Sequence, residues 1–252
     1  MLVSALVLGG SSAEAWTWGL PRQLTTTPEN SLLPTVGNGF AGMNGCLHLA
    51  FADKRGTERL VFYMRSSDYG ATWLGPVEIE ERTQNNTFSV AADSAGNVHL
   101  VNRRYSDNRL YYRRSSDQGA VWDSAVPMAD SCDNMVLLTN RRQNVYIFNV
   151  VPSEPPYLAM RKSSDGGATW AQAVRVLQTT GFNNLTACAS GSGTINLFYN
   201  YGLSGSSRVC EVRSTDDGAT WSGEIPLPGV SGNCAPGDCW SHGELVFLTS
   251  AG

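Results

Sequence analysis

Basic residues are scarce in this 252-residue chain: 18 Lys and Arg stand against 22 Asp and Glu, a formal net charge of −4. Such a balance lacks the positive field with which proteins meet phosphate backbones or anionic lipid, so neither nucleic acid nor a membrane surface is an expected partner. The apolar opening stretch, Met1 to Gly10, is about half of the roughly 20 residues that a bilayer span requires, and membrane insertion is not expected. Histidine is rare too. His48, His99 and His242 are far apart, and the six cysteines (Cys46, Cys132, Cys188, Cys210, Cys234 and Cys239) show no C-x-x-C spacing, so no metal site and no cofactor are predicted. No segment longer than a turn carries the 3.6-residue apolar period with helix caps, which argues against helical and α/β folds.

What the chain does have is one octapeptide written four times. Ser66-Ser67-Asp68-Tyr69-Gly70-Ala71-Thr72-Trp73 returns with Ser115, Asp117, Gly119 and Trp122, then with Ser163, Asp165, Gly167 and Trp170, then with Ser214, Asp216, Gly218 and Trp221. The aspartates lie 49, 48 and 51 positions apart along the chain. A near-constant period of this length predicts stacked or radially arranged units. The residue types describe a turn that pins itself. Ser and Asp oxygens accept from backbone N–H groups just downstream; the Gly admits positive φ; the Trp buries a ring beneath the turn while its indole N–H seeks an acceptor.

Each copy resembles the Asp box, S-x-D-x-G-x-T-W, of the sialidase-like β-propellers. That resemblance implies a turn between the third and fourth strands of a blade, placed away from the ligand face, so the four aspartates are read as structural and not as acids or bases. The text between boxes agrees. Leu74 to Glu80, Phe88 to Asp93, Val98 to Arg103 and Arg109 to Arg114 read as successive strands joined by turn signals, and the other units follow the same grammar. The predicted fold is therefore an all-β propeller of four-stranded antiparallel blades, held in one domain over residues 1–252.

Four complete units run from about Ser31 to Pro228. At the N-terminal end, Ser11 to Trp18 keeps the serines, Thr and Trp of a decayed box, so Met1 to Gly10 is read as a third strand and Trp18 to Leu24 as a fourth. An Ala13-Glu14-Ala15 site gives the opening some likeness to a signal peptide, but no Lys or Arg precedes the apolar run. Asp238 to Ser241 and Leu245 to Ser250 would supply first and second strands, closing a fifth blade from both ends. For the cysteines two readings stand side by side: small buried hydrophobes, or bridges such as Cys234 with Cys239 or a pairing that involves Cys188 and Cys210. Asn85-Asn86-Thr87 and Asn184-Leu185-Thr186 form glycosylation sequons. An extracytoplasmic or secreted setting is favoured.

Strand parity sorts the candidate site. In a four-stranded meander the 1-to-2 and 3-to-4 turns share one rim, where Arg141 and Arg142 also fall; the 2-to-3 and 4-to-1 connections share the other. Asp53, Arg55, Arg82, Arg103, Arg104, Tyr105, Asn200 and Tyr201 belong to that opposite rim, which carries the ligand site in the family that the boxes resemble. Arginine with tyrosine suits a glycan or an anionic group on a protein ligand. The arginine motif of sialidases has no counterpart: Leu20-Pro21-Arg22-Gln23 is the nearest text, and Tyr201, a conceivable nucleophile, has no adjacent Glu. The expectation is a glycan-binding or assembly module without hydrolytic activity. An exo-sialidase or related glycoside hydrolase, and a structural subunit of a larger complex, are the alternatives.

Overall fold

In the computed structural model, residues 21–26, 31–36, 46–55, 58–80, 83–140, 142–178, 183–190, 192–201 and 208–231 are described. They form four sheets of four antiparallel strands each. The first sheet holds β1 (Ser31–Val36), β2 (Leu47–Arg55), β3 (Glu58–Ser66) and β4 (Leu74–Glu80); the second holds β5 (Thr83–Ala92), β6 (Val98–Arg104), β7 (Leu110–Ser115) and β8 (Val126–Ala129). The third comprises β9 (Met135–Thr139), β10 (Val145–Val151), β11 (Tyr157–Ser163) and β12 (Val174–Gln178), and the fourth β13 (Asn183–Ala189), β14 (Ile195–Tyr201), β15 (Arg208–Ser214) and β16 (Ile225–Ser231). In every sheet, strands adjacent in sequence pair with one another, so each unit is a meander.

The units are arranged as blades of a β-propeller. First strands lie against first strands, β5 against both β1 and β9, and β9 against β13, which places them innermost and leaves β4, β8, β12 and β16 outermost. Ser89 Oγ accepts from Leu137 N at 3.1 Å and Ala92 O from Thr139 Oγ1 at 2.7 Å, tying β5 to β9. Because side chains alternate across a strand, every blade shows one apolar face to each neighbour. Three clusters fill the gaps: Tyr63, Val90 and Leu100 with their neighbours between the first and second blades, Val101, Tyr112 and Ile147 between the second and third, and Tyr146, Phe148, Leu197 and Tyr199 between the third and fourth.

Each octapeptide joins a third strand to a fourth and closes as its residue types require. Ser66 Oγ donates to Asp68 Oδ1 at 2.7 Å and accepts from Gly70 N at 2.8 Å, while Asp68 Oδ1 accepts from Thr72 N at 2.8 Å. The other three turns repeat this set. Val121 replaces the threonine in the second blade, so that turn keeps the backbone bond and lacks the hydroxyl one. These donors hold Asp68, Asp165 and Asp216 at a pKa of about 2, the threonine hydroxyl contributing most. Asp117 is also lowered, chiefly by the Val121 N–H.

Two features depart from expectation. Positive φ is shared by the residue before the glycine: Tyr69, Gln118, Gly166 and Asp217 lie at 55 to 65°, and the following glycines at 84 to 87°. Two consecutive residues of this kind make a turn whose twist matches the flanking strands. The indole N–H finds an acceptor only in the first blade, where Trp73 Nε1 donates to Gly70 O at 3.1 Å. Trp122, Trp170 and Trp221 have none, and instead stand edge-on to Tyr63, Tyr112 and Phe148 of the preceding blade at 4.8 to 5.7 Å. Ring packing across the gap wins over the hydrogen bond there.

The predicted fourth strand Trp18 to Leu24 is corrected over its described part: residues 21–26 are not in a strand. They follow blade one as a side-chain-anchored segment, with Leu24 packed among Leu49, Phe51 and Phe62, and Arg22 Nη1 donating to Ala71 O at 2.6 Å. The connection expected over Glu81 to Asn86 is shorter, since β5 starts at Thr83; its pairing is irregular until Phe88. Cys188 is disulfide-bonded, whereas Cys46, Cys132 and Cys210 are in no disulfide, so Cys188 and Cys210 are not bridged to each other. Burial raises the Cys132 thiol to about 12. Met1 to Trp18, Asp238 to Ser250, His242, Cys234, Cys239, Arg82 and Arg141 lie outside the described residues, and with them the fifth blade.

Candidate functional site

Register separates the two rims. Val98 pairs with Ser115 at the octapeptide end of the second blade, and Arg103 pairs with Leu110 at the other. On the octapeptide rim the 1-to-2 turn meets the 3-to-4 turn of its own blade: Gln118 N donates to Gly96 O at 3.2 Å, Gly166 N to Gln143 O at 3.2 Å, and Asp217 N to Gly193 O at 2.9 Å. The opposite rim is where second strands end and first strands begin.

On that rim the second blade builds a compact polar plate. The β6–β7 connection closes with Asn108 N on Arg104 O and Arg104 N on Arg109 O, Asn108 holding a φ of 59°. The guanidinium carbon of Arg104 lies 3.6 Å from the centroid of the Tyr111 ring. Tyr111 Oη donates to Asp107 Oδ2 at 2.8 Å, and Asp107 Oδ1 accepts from Arg109 N at 3.1 Å. Desolvation pushes the Asp107 carboxyl up, but the tyrosine hydroxyl, the Arg109 N–H and the charges of Arg104 and Arg109 outweigh it and hold the group below its ordinary value. Arg103 Nη1 reaches Asp133 Oδ1 of the third blade at 3.4 Å, and Arg109 Nη2 lies 3.2 Å from Asp130. Tyr105 is exposed beside them.

The other predicted residues are placed differently. Asp53 is fully buried, with Ser31 Oγ donating to its Oδ1 at 3.4 Å, and Asn200 is buried in β14. Both lie beneath the rim and not on it. Arg55 and Tyr201 end their strands, paired with Glu58 and Arg208. Asp107, Tyr111, Asp130 and Asp133 were missed by the sequence reading. Parity alone would have found Tyr111, which pairs with Asn102 and so faces as Arg104 does. Asn102 and Asn149 occupy the same step of the second strand in consecutive blades, both buried; neither the Asn102 amide nor Asn149 Nδ2 has a hydrogen-bond partner. Buried amides of this kind carry a cost, and Asn102 pairs directly with Tyr111 of the plate.

The histidines answer to packing. His48 Nδ1 is 2.6 Å from Tyr63 Oη and His99 Nδ1 is 2.8 Å from Tyr112 Oη, all in the interior. Among the described residues no group of His, Cys, Asp and Glu could hold a metal ion.

No protein-family model matches this chain, and no curated protein matches it. Solved structures do. A protein of unknown function from Dyadobacter fermentans superposes with a TM-score of 0.59 at 16% identity, covering 79% of this chain and 70% of that one. The catalytic domain of a GH62 α-L-arabinofuranosidase from Coprinopsis cinerea gives 0.56 at 12% identity, covering 88% and 77%. A Hadza microbial sialidase gives 0.51 at 16% identity over 76% of this chain and 46% of that chain, so this protein spans less than half of that sialidase's length. At these identities the likeness is one of fold, and the fold is the propeller.

Proposed function

We propose that the chain is an Asp-box propeller that binds a glycan on the rim opposite the octapeptide turns and does not hydrolyse it. The observation that carries this reading is the plate on the second blade: a guanidinium stacked on a tyrosine ring, with the ring's hydroxyl fixed by Asp107. Tyr111 itself is buried beneath the half-buried Arg104, so the plate offers a guanidinium held in advance and the exposed Tyr105 ring beside it, which suit an anionic substituent and a sugar face and limit the ordering cost of binding. The fold neighbours that are named as glycosidases support a carbohydrate ligand. The state of the carboxylates supports binding without hydrolysis. Glycoside hydrolysis needs a carboxylic acid with a raised pKa beside a second carboxylate or a nucleophile, whereas Asp107 is held low and Asp130 and Asp133 are each turned to an arginine.

Two assays on one preparation test this. A glycan array that includes sialylated and arabinosylated oligosaccharides should give binding that Arg104→Ala lowers at least tenfold, with the melting temperature lowered by only a few degrees, because the pair of a half-buried Arg104 and a buried Tyr111 is worth about 1–2 kcal/mol. Fluorogenic sialosides and arabinofuranosides should not be turned over. Turnover that disappears on changing Tyr201 or Arg104 would establish the hydrolase instead.

A further inference from the structure

The outermost strands differ in one respect that the glycan reading does not use. An outer strand exposes a row of backbone N–H and C=O groups to any extended chain that passes, and proteins blunt such edges with proline. Here β8 carries Pro127 paired with Tyr111, and β16 carries Pro226 paired with Cys210. Both partners lie four residues before the serine that opens their octapeptide, so the two prolines hold one register position. Proline has no N–H to give, so this position does not donate to the third strand; whatever N–H stands there points outward. In β4 a proline, Pro76, lies two residues before the equivalent Glu78. The third blade is the exception. Its outer strand, Val174-Arg175-Val176-Leu177-Gln178, contains no proline, and Arg175 takes the position, paired with Ala159. The one-residue irregularity at Val176 is matched at Met128 in β8, so it does not distinguish the two strands.

The side chains along this edge say what would lie on it. Val174 is 46% exposed. On the opposite face of the sheet Arg175 spreads over the Tyr157 ring, 4.3 Å from its centroid, and donates to Gln178 Oε1 at 3.0 Å, which leaves most of its five donors to spare. Arg161, two residues along from Ala159 in β11, shares that face. Among the described residues neither arginine is ion-paired to a carboxylate: the ion pairs of this blade and its neighbours are Lys162 with Asp217, Arg103 with Asp133, Arg109 with Asp130, Arg213 with Glu211 and His99 beside Asp93. Asp165, the nearest acid in sequence, is taken up by Thr169 of its own turn, and Glu154 in the β10–β11 connection pairs with neither. In a protein of net charge −4, an open edge flanked by two unpaired arginines and an exposed valine is complementary to an extended segment that alternates acidic and apolar residues.

We infer that β12 is a docking edge at which an acidic, extended segment of a partner protein adds a fifth strand to the third blade. Self-pairing of two β12 edges is disfavoured, because antiparallel pairing about Val176 would bring the two Arg175 side chains to one side of a five-residue contact.

The test uses the whole chain and a labelled probe peptide, acetyl-Val-Glu-Val-Glu-Val-Glu-amide, with its Val-Lys counterpart as the charge control. The Glu peptide should bind and the Lys peptide should not. Arg175→Pro, which installs the residue two sister strands already hold, should reduce binding at least tenfold; backbone amide exchange at residues 174–178 should slow when the peptide is present. Should the proline variant fold poorly, the double change Arg161→Glu and Arg175→Glu gives the second reading: preference should switch to the Lys peptide. No binding of the Glu peptide to the wild type, equal binding of both peptides, or full binding by Arg175→Pro would each overturn the inference. Glycan binding by Arg175→Pro should equal the wild type, so this result stands apart from the fate of the rim site.

Discussion

The junction between the second and third blades and the junction between the third and fourth do the same task with different chemistry. At the former, Tyr112 runs from the second blade onto the octapeptide turn of the third, so that a Cβ on Gly167 would lie 1.9 Å from its hydroxyl oxygen. His99 holds that hydroxyl, and His99 Nε2 is 3.5 Å from the Asp93 carboxylate, which is itself fixed by Asn97 at 2.6 Å. The first junction repeats the design with His48 and Tyr63, and a Cβ on Gly119 would lie 2.1 Å from Tyr63 Oη. At the later junction a charge replaces the histidine. Asp217, the residue between Asp and Gly of the fourth turn, accepts from Tyr146 Oη, from Asn140 at 3.0 Å, from Asn144 at 2.7 Å and from Lys162 Nζ at 2.9 Å. A Cβ on the glycine of that turn would meet the Met160 thioether at 3.0 Å, with Ile195 Cδ1 at an ordinary 3.8 Å. The invariant part is that the preceding blade's second and third strands grip the next blade's turn. Glycine is needed for the backbone at every turn, and for space at only the first two of these junctions.

The largest effect should come from filling that space. Gly167→Ala adds a methyl where the tyrosine stands, and the tyrosine cannot withdraw without abandoning His99 in the interior. Overpacking of about 1–3 kcal/mol then adds to roughly 1–2 kcal/mol for a non-glycine residue at a φ of +84°. A thermal melt should fall by about 10 °C, at roughly 2–4 °C for each kcal/mol in a domain of this size. Removing the tyrosine hydroxyl first, with Tyr112→Phe, should recover part of the loss, and a fall of under about 3 °C for Gly167→Ala alone would show that the gap is looser than drawn.

Acidification should open the two histidine junctions and spare the charged one. Burial, helped by the Arg65 charge, lowers His48 to about 4; burial also lowers His99, outweighing the Asp93 carboxylate, with Arg114 adding in the same direction. A histidine whose folded pKa is depressed contributes stability that is complete above its unfolded value near 6.5 and is lost as pH falls towards the folded value. At pH 5 the loss at His48 is about 2 kcal/mol, and His99 loses stability in the same direction. Asp217 is lowered as well: desolvation raises it, but Tyr146 and Lys162 prevail. Its contribution is complete above the ordinary carboxylate value near 4 and is lost only below it. Melting temperatures taken from pH 7 to pH 4.5 should therefore decline, and His99→Gln should flatten the decline; an unchanged slope would assign the effect elsewhere.

Asp217→Ala should cost about 2 kcal/mol by chemical denaturation at pH 7, because it strands Lys162, Tyr146 and two amides that have turned inward to meet it. Lys162→Met should cost less than Asp217→Ala, and the double change less than the sum of the two, since both act on one network.

These junctions also mark where sequence reasoning ran out. The octapeptide period and the alternation of Val98 to Arg103 or Ile195 to Asn200 located strands to within a residue or two, because apolar periodicity and turn chemistry are local. The shared repeat position of His48 and His99 was legible as a common role, but the role depends on Tyr63 and Tyr112, which only register brings opposite. Asp217 meets residues 55 to 77 positions away, and its turn position holds Tyr, Gln and Gly in the other copies, so nothing nearby announces a hub. On the candidate site, Arg104 and Tyr105 followed from parity, whereas the burial of Asp53 and Asn200 did not: loop ends are polar whether they face solvent or the core beneath. The lack of strand at residues 21–26 reflects the same limit, since Leu24 is held by side-chain packing and Arg22 by one carbonyl, neither of which a pattern of residues encodes.

The smallest expected change completes the comparison. Gly218→Ala alters the same turn position as Gly167→Ala at nearly the same φ, +87° against +84°, so the backbone penalty of roughly 1–2 kcal/mol is common to both. The neighbours differ. A Cβ on Gly218 would lie 3.0 Å from Met160 Sδ and 3.1 Å from its terminal methyl, and methionine is unbranched, with rotatable bonds that let its end swing aside. The cost should therefore stay near the backbone value, and the melting temperature should fall by about 3–6 °C, well short of the Gly167 variant. Were the two variants equal, the steric lock by Tyr112 would count for little and the φ alone would explain the glycine. Were Gly218→Ala the worse, Met160 would have to be clamped by the surrounding Ile195 and Phe148, and the division of the junctions into rigid and compliant kinds would fail.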